Sequence, residues 1–170
     1  MRWRDAITAA VLAAACGLAS ATPCTLVFGQ GRNPTLKGGP DWDTLNQQFN
    51  AAISQALDAA GRRVMPLTAD SVQADPEAAA LALLREADRL GCATLAETNV
   101  FADEQDTLVL RLRVYPLLPT LGPGGTLTGL RIGAPVFITQ REFALKALLR
   151  LKLDATGQQL AAEYLQHDRR

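Results

Sequence analysis

The chain has 170 residues, with 17 Lys+Arg, 17 Asp+Glu and one His, for a formal charge of zero; 48% of its residues are apolar and 20% are charged. This excludes a disordered polar tail, because there is apolar surface enough to build a core. It also excludes a strongly cationic nucleic-acid binder, which needs surplus Lys and Arg to neutralise phosphates.

The amino terminus reads as an export signal. Arg2 and Arg4 form a positive n-region, residues 6–15 an apolar stretch, and Ala19-Ser20-Ala21 a small-residue cleavage site. The expectation is cleavage after Ala21, leaving one periplasmic domain over residues 22–170. A rival site is Ala13-Ala14-Ala15-Cys16, which resembles a lipoprotein processing box with Leu12 one position too early. Under that alternative Cys16 is lipidated and the domain is anchored to a membrane. The mature chain then loses Arg2, Arg4 and Asp5, and its charge is about −1, too little to steer anionic partners toward the molecule as a whole. Cys24 and Cys92 remain as an even pair in an oxidising compartment, where a disulfide is the expected state. Two buried thiols are the alternative. A bridge enclosing about 67 residues contributes about 4 kcal/mol in the chain-entropy account.

In chain order, Cys24 to Phe28 predicts a short buried strand, and residues 29–40 a Gly/Pro-rich loop. Asp41 or Asp43 starts a helix whose stripe is Trp42, Leu45, Phe49, Ala52, Ile53, Ala56 and Ala60, closed by Gly61. Arg62 to Leu67 is a second strand that Pro66 places at an edge or ends. Asp75-Pro76 opens a second helix, lined by Ala80, Leu83, Leu84, Ala87 and Leu90 and ended by Gly91. Cys92 to Phe101 is a third strand and residues 103–106 a polar turn. In the fourth strand Leu108, Leu110, Leu112 and Val114 alternate with Val109, Arg111, Arg113 and Tyr115. Residues 116–135 read as a long loop. Over 136–153 the alternation predicts a fifth strand, although Ala, Leu, Lys and Arg also favour helix. Leu149 to Leu153 echoes Leu110 to Val114, so this strand is expected to pair antiparallel with the fourth. Thr156 with Gln159 predicts a capping box for a last helix lined by Leu160, Ala161, Tyr164 and Leu165. The expected fold is α/β of the mixed α+β kind, with helices packed on a mixed sheet in the order β-α-β-α-β-β-β-α. If strands one and three are parallel neighbours, Cys24 and Cys92 open them at one end of the sheet, within bridging distance.

Chemistry-bearing residues are sparse. His167 stands near the end of the chain, where a triad histidine has nothing to position it. Asp41-Trp42-Asp43 is better explained by helix capping than by paired carboxylates. Asp103-Glu104-Gln105-Asp106 lacks the glycine and ligand spacing of a calcium loop. Gly29-Gln30-Gly31 follows a strand, but the helix begins too late for a dinucleotide fingerprint. No catalytic, metal or cofactor site is expected. The leucine-rich segment 116–135 either folds back on the core or docks a partner, with Leu117, Leu118, Leu121, Leu127 and Leu130 as the candidate contacts.

The order of elements, with Leu45-Asn46-Gln47-Gln48-Phe49, Gly61, Cys92-Ala93-Thr94-Leu95 and Leu110 to Tyr115, resembles the TolB amino-terminal domain and the related CsgG type of envelope domain. The resemblance implies a non-catalytic module that binds other envelope proteins. It brings no site residue with it. The expected function is therefore a periplasmic protein-interaction module with no cofactor and no nucleic-acid partner, touching a membrane only if Cys16 is lipidated. The alternative is an envelope carrier of a small ligand or lipid.

Overall fold

The structure, a computed structural model, describes residues 24–30, 33, 39–69 and 76–169. The export signal, the Cys16 box, Asp75 and most of the first loop lie outside the described residues. The elements are β1 (Cys24–Gln30), α1 (Trp42–Ala59), β2 (Arg63–Ala69), α2 (Pro76–Leu90), β3 (Cys92–Ala102), β4 (Thr107–Leu121), β5 (Leu127–Ile132), β6 (Phe137–Ala144) and α3 (Leu153–Asp168). The α+β architecture is as expected, with one strand more than the sequence indicated.

Local chemistry sets the helix ends. Asp41 caps α1: the Thr44 N–H donates to Asp41 Oδ1 at 3.1 Å and the Thr44 hydroxyl to Oδ2 at 2.8 Å. Those bonds hold the Asp41 carboxyl below its usual pKa, the backbone N–H most of all. At the other end Gly61 takes φ +81°. Its N–H donates to the Asp58 carbonyl and the Arg62 N–H to that of Leu57, the paired bonds of a Schellman stop.

The sheet runs β2-β1-β3-β4 and then to β5 and β6, which both pair with β4. β1 lies between β2 and β3 and is parallel to both. Cys24 stands in register with Cys92, and the two are joined in a disulfide with Cα atoms 4.1 Å apart. α1 and α3 cover one face. Their core holds Phe49, Ile53 and Leu57 of α1, Leu160 and Tyr164 of α3, and the inward row Leu108, Leu110, Leu112 and Val114 of β4. Gly157 lets the two helices meet closely, since a Cβ there would stand 3.0 Å from Ala52 Cβ. α2 covers the other face over Cys24, Leu26, Cys92, Leu95 and Leu117.

Beyond the end of β1, the edge of β3 is completed by side chains. The Asn46 carboxamide accepts from the Val100 N–H and donates to the Val100 carbonyl, both at 2.8 Å. Asn33 does the same for Ala102, at 3.0 Å each way. Two amide side chains thus supply the hydrogen bonds of a missing strand.

Three expectations need correction. The stretch 116–135 is not a loop: β4 continues to Leu121, turns at Pro123–Gly125 and returns as β5. The two prolines of β4 fit because each missing N–H falls where no acceptor needs it. Pro116 faces the interruption between β5 and β6, and Pro119 faces the side on which β3 has already ended. Second, the antiparallel partner of β4 is Phe137–Ala144, not Leu149 to Leu153. Leu145–Leu149 forms a 3-10 turn, in which the leucines follow a period of three rather than two. Third, α3 begins at Leu153, so Thr156 is no N-cap; its hydroxyl donates to the Lys152 carbonyl instead.

Candidate interaction surface

Apart from Leu149 and Leu81 of α2, the exposed large apolar side chains gather along β4, β5, β6 and the linker between the last two, and the backbone explains why. β5 and β6 lie in succession along one edge of β4. Between them the Gly133 N–H donates to the Pro116 carbonyl at 2.9 Å and the Val136 N–H to that of Val114 at 2.8 Å, so the linker never leaves β4. The far side of β5 and β6 has no strand paired to it among the described residues.

Alternation along β6 directs Phe137, Thr139, Arg141 and Phe143 toward α3. The Phe137 ring lies 5.5 Å from that of Tyr164 and 5.3 Å from that of His167. Arg141 pairs with Glu163, which also accepts from the Thr139 hydroxyl at 2.9 Å. These contacts fix the strand while Val136 and Ile138 remain more than half exposed.

The five candidate leucines divide. Leu121 and Leu127 are 64% and 61% exposed at the hairpin tip. Leu118 is half-buried, and Leu130 packs against the core under α2. Leu117 is 7% exposed and belongs to that core, so it is withdrawn from the contact surface. Ile132, at the end of the same leucine-rich segment, is also exposed, and Val136 and Ile138, which the sequence reading missed, join the set. The signal available was the alternation of residues 137–144, hidden inside a longer run of Leu and Lys.

An apolar cleft of about 290 Å³ opens between α2 and the sheet, lined by Phe28, Ala80, Leu83, Leu95 and Ile132, with Glu97 and Tyr115 among its walls. The Tyr115 hydroxyl donates to Glu97 Oε2 at 3.0 Å, and Arg113 Nη1 lies 3.6 Å from the same oxygen. Arg113 is held above the usual guanidinium value, chiefly by its bond to Tyr115 and further by the Glu97 charge.

The other motifs serve the fold. Asp103 Oδ1 accepts the Gln105 and Thr107 N–H groups, making 103–106 a hairpin turn. Gly29 is packed against Asn50 and Thr98, where a Cβ would come within 3.0 Å of both. His167 lies on the last turn of α3, ordered against Phe137 rather than frayed. Among the described residues no group of three or more His, Cys, Asp or Glu is placed to hold a metal ion, and no helix is long and apolar enough to cross a membrane.

No family model matches the chain, and no curated protein does. Among solved structures, a hypothetical protein from Chlamydia trachomatis is similar at 10% identity and a TM-score of 0.36, over 74% of each chain.

Proposed function

We propose that this protein is an exported, non-catalytic interaction module of the bacterial cell envelope, which binds a partner protein along the β5–β6 edge. The observation that carries the reading is the row of exposed apolar side chains on an unpaired strand edge: Leu121, Leu127, Ile132, Val136 and Ile138. Apolar side chains grouped at a surface mark contact sites, and an open edge offers backbone groups to an incoming strand. The Cys24–Cys92 bridge supports an oxidising compartment. A photo-crosslinking residue at position 138 should trap a partner in the intact envelope. Leu121→Asp with Leu127→Asp should abolish that trapping at unchanged melting temperature. Trapping that survives both changes would overturn the reading.

The cleft beneath α2 favours the carrier alternative, since apolar walls with a few convergent polar groups are what small-ligand sites share. It is open rather than enclosed. Titration with a fluorescent fatty acid separates the two: saturable binding lost in Leu83→Trp belongs to a carrier, and no binding to an interaction module.

A further inference from the structure

We propose that the segment from Leu145 to Lys152 is a membrane-contact ridge that rests on an anionic phospholipid bilayer. The chain here is wound with three residues per turn. The 3-10 turn Leu145–Leu149 is prolonged by the Arg150 N–H to the Ala147 carbonyl and the Leu151 N–H to that of Leu148. Residues three apart therefore line up. Leu145, Leu148 and Leu151 form one row and pack against the core beneath α1 and α3. Lys146, Leu149 and Lys152 form the next row, and all three are exposed. Leu149 is 94% exposed, the most extreme of the large apolar side chains. Arg150 is exposed beside it.

Lys146, Arg150 and Lys152 take part in no ion pair among the described residues. Two acids flank the ridge: the Asp106 carbonyl accepts the Leu145 N–H, and Asp154 sits in the first turn of α3, where the helix dipole favours it. The chain as a whole is neutral, so this clustering of cations is local. A leucine standing out between cations suits a bilayer surface: the side chain enters the headgroup boundary while the cations meet lipid phosphates. A protein partner fits less well. One leucine and three cations fall far short of the roughly 800 Å² per side that a specific protein interface buries. The ridge lies at the opposite end of β6 from Val136 and does not depend on the edge reading.

The test is co-sedimentation of the exported protein processed after Ala21, in a Cys16→Ser background, so that neither the apolar stretch 6–15 nor an acyl group on Cys16 can take it to the membrane. Vesicles of equal parts phosphatidylcholine and phosphatidylglycerol should bind it in low salt, and vesicles of phosphatidylcholine alone should not. Each cation removed should weaken binding about fivefold, and Leu149→Ala should weaken it several-fold. The combined variant Lys146→Glu, Arg150→Glu and Lys152→Glu should not sediment, and its melting temperature should match the parent. Lys146→Arg with Lys152→Arg should keep full binding, separating charge from shape. Equal binding to both vesicles, none to the anionic ones, or full binding by the triple variant would each overturn the proposal. So would capture by poly-glutamate but not by vesicles, which would make the ridge a docking site for acidic protein.

Discussion

The two halves of the sheet treat their edges in opposite ways. In the parallel half, β2 carries Pro66 at the outer edge, where proline offers no N–H to an incoming strand. The stretch of β3 beyond β1 is capped by Asn33 and Asn46. A disulfide ties β1 to β3. In the antiparallel half, β5 and β6 themselves carry no proline, side-chain cap or disulfide among the described residues, and expose apolar side chains instead. Open edges are ordinarily blunted. A fold that blunts two and leaves one sticky points to the third as the place where something binds.

The sharpest way to break this comparison is within β4 itself. Leu117→Asp would bury an unpaired carboxylate and should cost about 4 kcal/mol or more, whereas Leu127→Asp should stay within about 0.5 kcal/mol of the parent. Thermal melts of both decide it, and equal costs would erase the division between core and surface. Next, Cys24→Ser with Cys92→Ser should lower stability by about 4 kcal/mol, or about 10 °C in melting temperature. Reductant should reproduce that drop in the parent and leave the double variant unmoved. Asn46→Ala should cost about 3 kcal/mol, because it strands the buried N–H and carbonyl of Val100. In hydrogen exchange the loss of protection should centre on Val100 and leave β6 unaffected. A uniform loss would mean that the carboxamide does not close this edge.

Much of the fold was legible in the residues. Asp41, Gly61 and Gly91 mark helix ends because capping and left-handed turns are local chemistry. Alternation from Leu108 to Tyr115 reveals a strand with one buried face, and Cys24 with Cys92 reveals which strands are neighbours. The hairpin of β4 and β5 was hidden by Pro116, Pro119 and the glycines around them. Those residues read as breakers unless one knows which backbone groups have partners. The segment 145–152 misled because Leu and Lys in close alternation fit a period of two or three equally well. Of the candidate surface, Leu121 and Leu127 were visible, but Leu117 looked the same as they did. Only the pairing of β4 with its neighbours separates them. Asn33 and Asn46 gave no signal, since their partners lie 69 and 54 residues away.

The bridge at the head of β1 also has a mechanical meaning. Cys24 is the first residue of β1, and Cys92 the first of β3. A load that arrives at Cys24 is carried by the disulfide as well as by the hydrogen bonds of β1. It therefore passes straight into the centre of the sheet, and β1 cannot be peeled off from its leading end. Force at this corner of the sheet therefore meets a covalent staple as well as a zipper.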